Sequence, residues 1–185
     1  MTRIVAGEAG GRRLAVPAGD RTRPTSDRTR EALFGTLGTL VDLAGVRVLD
    51  LYAGSGGVGL EAVSRGAAAA LLVEADPRAV SVARANAAAL GFADRVEVRR
   101  DRVERMLAVL PAEPFGLVFA DPPYALPDAE LDAALGLLAA GWLAPGAVVV
   151  VERSSRGRGP AWPDVMQPVK QRRYGEGTLW YGRFS

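Results

Sequence analysis

The sequence predicts an α/β fold, a mostly parallel sheet with helices on both faces that closes in an antiparallel hairpin. Three observations carry that expectation. From Val46 onward, apolar strand-length runs alternate with helix-length segments. A glycine-rich turn, Gly54 to Gly59, joins the first of these strands to the first of these helices. After Glu152 the alternation stops, and two β-like runs flank Gly175-Glu176-Gly177. At 185 residues the chain suits one domain with a small appendage.

In chain order, residues 3–6 and 12–16 are short β-like runs around Gly7-Glu8-Ala9-Gly10-Gly11, and predict an N-terminal hairpin. Residues 18–26, rich in Gly, Pro, Thr and Arg, predict a loop. Thr25 or Ser26 can cap a helix running to about Val41, with Leu33, Leu37, Leu40 and Val41 on one face. A boundary at 25/26 therefore separates a hairpin extension, 1–25, from a main domain, 26–185. Strands are expected at 46–52, 69–74, 95–99, 115–120 and 147–152. Helices are expected at 57–65, 77–90, 103–110 and 128–139. Pro77 suits the first turn of its helix, where a missing N–H costs nothing. The closing hairpin pairs 169–174 with 178–184.

Composition narrows the chemistry. The chain has no cysteine and no histidine, which excludes disulfides, thiolate zinc sites, cysteine nucleophiles and Ser-His-Asp triads, and suggests no metal. Apolar residues make up 49% of the chain, enough for a packed core. No uncharged apolar run of membrane-spanning length occurs. Arg3, Glu8, Arg12 and Arg13 leave no secretory h-region, so a cytoplasmic protein is expected. Catalysis must rest on carboxylates, backbone groups, hydroxyls and arginines.

Charge is unevenly distributed. Residues 1–31 hold seven basic residues against four acids, residues 153–185 seven against two, and the middle nine against fifteen. The net charge of +2 thus hides two basic ends around an acidic body, and Lys170 is the single lysine. Arginine binds phosphate bidentately and stacks on bases. Two basic ends that meet in space would form a nucleic-acid footprint.

Residues 48–59 read Val-Leu-Asp-Leu-Tyr-Ala-Gly-Ser-Gly-Gly-Val-Gly, and Gly54, Gly56 and Gly59 satisfy the dinucleotide spacing. Asp50 argues against a pyrophosphate there, because a carboxylate near the strand end suits an ammonium such as that of S-adenosylmethionine. Glu74, at the end of the second strand, can accept from both hydroxyls of a ribose. Asp76, before Pro77, reads as a helix cap. Asp101 closes the third strand and can either accept from an adenine amine or cap the next helix. Asn86 reads as a packing or surface residue. At the end of the fourth strand stands Asp121-Pro122-Pro123-Tyr124. The prolines hold the backbone extended and remove two N–H groups. Asp121 and the Pro122 carbonyl then form two acceptors that fit an exocyclic amine, and Tyr124 offers a ring for a flipped base.

These motifs resemble those of class I S-adenosylmethionine-dependent methyltransferases that modify amino groups. The segment Arg23-Pro24-Thr25-Ser26-Asp27-Arg28-Thr29-Arg30-Glu31-Ala32-Leu33-Phe34 resembles the RsmD family, and the resemblance covers nearly the whole chain. It implies a Rossmann-like, seven-stranded methyltransferase fold and methylation of guanine N2 in 16S ribosomal RNA, within the small subunit or a late assembly intermediate. It places Asp50, Tyr52, Ala53, Gly54, Ser55, Gly56, Glu74, Ala75, Asp101, Arg102, Thr25 and Asp27 around the cofactor. Asp121, Pro122, Pro123 and Tyr124 fall on the catalytic motif. Arg3, Arg12, Arg13, Arg23, Arg28 and Arg30 are assigned to RNA. Ser26 departs from a common threonine and Arg102 from a usual small residue.

Three other readings stay open: adenine N6 methylation, because the same acceptors hold that amine; a nicotinamide oxidoreductase, from the glycine spacing; and a catalytically silent RNA-binding assembly factor. A monomer is the default.

Overall fold

The computed structural model describes residues 2–19 and 25–185. A seven-stranded sheet is built from β3 (Arg47–Leu51), β4 (Ala69–Glu74), β5 (Val96–Arg100), β6 (Phe115–Ala120), β7 (Leu143–Ser154), β8 (Met166–Tyr174) and β9 (Gly177–Phe184), in the order β5-β4-β3-β6-β7-β9-β8. The strands from β5 to β7 pair in parallel, and β9 pairs antiparallel to both β7 and β8. The expected fold class is borne out.

Helices cover both faces because alternate strand residues are apolar on both. On one face α1 (Asp27–Leu37), α2 (Gly57–Ser64) and α3 (Pro77–Ala89) bury Leu33, Leu60 and Ala83 against Val48, Leu72, Phe119 and Val150. On the other, α4 (Val103–Leu107) and α5 (Asp128–Gly141) bury Met106 and Leu135 against Leu49, Val73, Val118 and Val149. The chain runs outward from β3 to β5, then returns to β6 beside β3. The strand order therefore reverses between β3 and β6, where sheets of this kind open a crevice at the carboxyl ends of their strands. Among the described residues, no helix is long and apolar enough to cross a membrane.

Several elements differ from the expectation. α1 ends at Leu37, four residues early, where Gly38 closes it on the Phe34 carbonyl. α4 ends at Leu107, leaving Val109 and Leu110 exposed. β7 runs 12 residues because Leu143 already pairs with Phe115 of β6, ahead of a register shift, and β9 pairs with it as far as Ser154. The N-terminal hairpin is smaller than expected: only β1 (Thr2–Arg3) and β2 (Arg13–Leu14) pair.

The missing ladder bonds of that hairpin go elsewhere. Val5 N–H donates to the Glu61 carboxylate (2.9 and 3.1 Å), Ala9 N–H to Ser64 Oγ (3.0 Å), and Ala15 N–H to Asn86 Oδ1 (2.9 Å). The extension is thus docked onto α2 and α3 by buried polar side chains, since a buried backbone N–H needs a partner of some kind.

Candidate active site

The crevice is built from the ends of four parallel strands. Out of β3 the backbone turns sharply at Tyr52 (φ 58°) and Gly54 (φ 57°), then Gly56 (φ 87°) opens α2. A left-handed Tyr is uncommon and costly, and persists only where the surroundings enforce it. The Tyr52 ring packs against the core on the α4–α5 face, and burial pushes its hydroxyl up to about 12.

The glycines of this loop serve two purposes. A Cβ on Gly54 would meet nothing within 4 Å, so that position is open to a ligand. A Cβ on Gly56 would lie 2.7 Å from Leu72 Cδ1, and one on Gly59 2.2 Å from Leu72 Cδ2. The missing side chain at Gly56 thus lets α2 pack tightly on β4. Ala53 N–H donates to the Val73 carbonyl (2.9 Å) and Ser55 gives its carbonyl to Asn86 Nδ2 (3.0 Å), which fixes the loop.

Three of the carboxylates at the strand ends on this edge, Asp50, Asp121 and Glu152, are shifted upward. Asp50 is 2% exposed and accepts from Gly59 N–H at 2.9 Å. Burial pushes its carboxyl up to about 8, with Glu74 adding to the shift and the Gly59 amide opposing it. Asp121, whose N–H reaches the Leu51 carbonyl at 3.4 Å, is raised well above the usual range by burial and by Glu152 and Asp50. Glu152, on β7, is raised by burial, and its Oε2 is buried with no hydrogen-bond partner.

The proton linkage has a definite sign. The raised Asp50 carboxyl keeps in the folded state a proton that the unfolded chain releases near pH 4. The stability this provides is full below that pH and is lost as pH rises through the folded value, about 8. Ligand-free protein is therefore expected to melt at progressively lower temperature from pH 5 to pH 8. Asp50→Asn should flatten that decline, and melting curves at several pH values check it.

Glu74 is anchored by two amides, Gly54 N–H at 3.0 Å and Asp76 N–H at 2.8 Å. A carboxylate offers about four acceptor positions, so both oxygens keep one for a ligand. Ala75 is exposed beside it. Asp76 caps α3 through Arg78 N–H, as its position suggests. Asp101 does not cap α4: the N-cap is Arg102, and Asp101 accepts the Arg102 N–H at 2.8 Å. The Arg102 side chain turns outward to Glu104, at 3.3 Å.

In the Asp121–Tyr124 segment, the Pro123 carbonyl accepts from Leu126 N–H and from Arg153 Nη1. No donor among the described residues takes the Pro122 carbonyl. Tyr124 is 52% exposed at the rim. Arg153 is buried and also donates to the Leu126 carbonyl (2.8 Å) and Asp128 (3.2 Å), so it holds the loop rigid from behind.

The N-terminal residues assigned to cofactor and RNA divide. Thr25 gives its carbonyl to Arg30, at 3.3 Å. Asp27 accepts from Thr2 Oγ1, Arg3 N–H and Arg30; burial opposes, but these donors outweigh it and hold the carboxyl below its usual range. Arg30 corrects the RNA assignment. It is 1% exposed, donates to Thr2, Thr25, Arg3 and Asp27, and lies 3.8 Å from the buried Glu61. Arg3 pairs with Asp27 at 3.5 Å, and Arg12 donates to the Ala89 carbonyl at 2.6 Å. Arg13 and Arg28 are exposed, and Arg23 lies outside the described residues.

Sequence reasoning passed over Glu152 and Arg153, and read Asn86 only as a packing or surface residue. Asn86 is 4% exposed and joins the Ser55 carbonyl of the glycine loop to both backbone groups of Ala15. Its spacing on an apolar helix face was the available signal, since a buried amide must be satisfied.

Sheet order, glycine loop and the Asp121–Tyr124 segment together define a class I methyltransferase of the S-adenosylmethionine-dependent kind. The comparisons carry this to a family. Residues 2–183 match the family described as conserved hypothetical protein 95, and the chain belongs to that family, the RsmD family. Ribosomal RNA small subunit methyltransferase D of Escherichia coli (strain K12) is 40% identical over 151 residues, 81% of this chain and 73% of that protein. The Haemophilus influenzae protein of the same name is 35% identical over 152 residues, 81% of this chain and 77% of that protein. A solved E. coli methyltransferase, yhhF, superposes with a TM-score of 0.86 at 32% identity, covering 99% of this chain and 97% of that one. An RNA methyltransferase from Salinibacter ruber in complex with S-adenosyl-L-homocysteine shares the fold, with a TM-score of 0.64 at 21% identity over 88% of this chain and 94% of that one.

Proposed function

We propose that the chain transfers a methyl group from S-adenosylmethionine to the exocyclic N2 amine of a guanine in 16S ribosomal RNA. It would act as a cytoplasmic monomer on the small subunit or a late assembly intermediate. The observation that carries the base assignment is the acceptor-rich end of β6 and β7. Asp121, the unengaged Pro122 carbonyl and the unpartnered Glu152 Oε2 gather there. Guanine presents a row of donors, N1–H beside N2–H2, whereas adenine sets an acceptor, N1, beside its amine. Buried acceptors left facing an acceptor are costly, so this edge favours guanine.

The cofactor fits the loop on the evidence of Gly54, whose missing Cβ opens toward the crevice. Bound there, S-adenosylmethionine supplies an electrophilic methyl group on a sulfonium. Glu74, at the end of β4, would hold the ribose hydroxyls, and Asp50 would face the ammonium. Asp101 remains the candidate for the adenine amine. Asp121 and the Pro122 carbonyl orient the two N–H groups of the target amine so that its lone pair meets the methyl carbon. As the N–C bond forms and the S–C bond breaks, N2 must lose a proton. Asp121 in its ionised form, with Glu152 beside it able to hold a proton instead, accepts it directly or through water. Tyr124 stacks on the base once it leaves its helix.

Incubation with methyl-labelled S-adenosylmethionine and small subunits lacking the modification, followed by digestion to nucleosides, tests this reading. Labelled N2-methylguanosine supports it. Labelled N6-methyladenosine would keep the mechanism and overturn the base. No label, with cofactor binding demonstrated, would move the weight to a silent assembly factor.

A further inference from the structure

The two basic ends of the chain use their cations differently. At the N-terminus, Arg30 is buried, Arg3 is paired with Asp27, and Arg12 is bonded to the end of α3. Those groups hold the extension to the domain. At the C-terminus Arg153, Arg158 and Arg183 are likewise engaged, by Asp128, Asp132 and backbone carbonyls, but four cations lack an acid partner. Arg156, Lys170, Arg172 and Arg173 form no ion pair with any described residue. β8 contains no acid at all, and Glu176 is the one acid beyond Asp164.

Topology brings these cations to the crevice. β8 is antiparallel to β9 and β9 to β7, so β8 runs in the same direction as the parallel strands. Its final residues, Arg172 to Tyr174, therefore lie at the same edge as Asp121 and Glu152. Tyr174 and Ser154 both pair with Gly177, which locks the hairpin turn to the end of β7. A Cβ on Gly177 would stand 2.9 Å from Glu152 Oε1 and 3.3 Å from the Tyr124 hydroxyl, so the hairpin abuts the catalytic segment. Ser155 holds Arg156 at the same place: its N–H donates to the Glu176 carbonyl (2.8 Å), and its hydroxyl meets Thr178 Oγ1 (3.0 Å).

Charge on an edge strand also discourages pairing with another sheet. That role would be served anywhere along β8, and does not call for Arg156 on a separate loop beside Arg172 and Arg173. Unpaired arginines along the sheet edge that carries the exposed Tyr124 instead match a strand of nucleic acid whose backbone is gripped while one base is presented.

We propose that Arg156, Arg172 and Arg173, with Lys170 further along β8, bind the phosphodiester backbone of the target RNA, making the C-terminal hairpin rather than the N-terminal extension the main source of RNA affinity. The proposal rests on the RNA reading above, and the experiment separates the two. Fluorescence anisotropy measures binding of a labelled RNA hairpin to the full-length protein across a range of salt concentrations. The triple variant Arg156→Gln/Arg172→Gln/Arg173→Gln should lose at least tenfold in affinity, and its salt dependence should flatten by about two in log–log slope, from roughly 0.7 per phosphate contact. S-adenosylhomocysteine affinity and melting temperature should stay at wild-type values. Replacing the same three residues with lysine should restore most of the slope, and Arg13→Gln/Arg28→Gln should change affinity by no more than about twofold. Wild-type affinity and slope in the glutamine triple variant would overturn the assignment, as would an equal loss in the extension variant. Wild-type protein that binds S-adenosylhomocysteine but neither retains the RNA nor labels small subunits would instead overturn the RNA reading itself.

Discussion

Asp121→Ala is expected to lower methyl transfer by about 10²–10⁴-fold, the range in which a positioned proton acceptor contributes, while S-adenosylhomocysteine binds with unchanged affinity. The separation follows from placement. The proposed cofactor side of the crevice is the β3 loop with Glu74, whereas Asp121 directly follows β6. The stability of the variant makes the prediction sharper. Burial, Glu152 and Asp50 all disfavour a charge on Asp121, so removing the carboxyl relieves repulsion and the variant should melt no earlier than the wild type. Groups held in place against their own stability are typical of sites kept for function. Single-turnover transfer from labelled S-adenosylmethionine, with a melting curve on the same preparation, checks both halves. Near-normal turnover in a folded variant would remove Asp121 from the chemistry.

Arg30→Ala should act on stability instead of recognition. The guanidinium lies between the buried Glu61 carboxylate, Asp27, Thr2 and the backbone of the extension. Glu61 would keep the Val5 amide and the partly exposed Arg65, at 3.5 Å, but lose its one fully buried counter-charge. Removing one partner of a buried pair costs about 3–5 kcal/mol, or roughly 6–20 °C in Tm for a domain of this size. Val5 and Ala9 dock beside this cluster on α2, so limited proteolysis should cut the extension first. An unchanged melting temperature with weakened RNA binding would return Arg30 to the RNA-contact role that its neighbourhood in sequence suggests.

Arg30 shows where sequence reasoning ran out. In sequence, Arg28 and Arg30 are two arginines of one helix start, equally suited to phosphate. In the structure, α1 turns Arg28 to solvent and Arg30 into the core, because two residues along a helix rotate a side chain by more than half a turn. Which side is buried depends on where α2 lies, and α2 is placed by Gly56 and Gly59 fitting against Leu72. Glu152 and Arg153 were invisible for a similar reason. They end an apolar strand with no motif around them, and matter because β6 and β9 flank that strand.

The elements that were legible are those whose signals are local. Strand-helix alternation, the glycine turn that begins at Gly54, Pro77 at the start of α3 and the hairpin around Gly175 depend on periodicity and backbone freedom. These act over a few residues. Asp50, Glu74 and Asp121 were found in the same way, because each ends a strand, and the carboxyl ends of parallel strands share one edge. Sequence alone thus determined the fold class and three acids of the crevice, Asp50, Glu74 and Asp121. Tertiary structure decided which charges are free. Pairing a cation with a buried acid or a helix-end carbonyl depends on contacts between residues as far apart as Arg12 and Ala89, or Arg30 and Glu61. Only the packed chain brings such residues together.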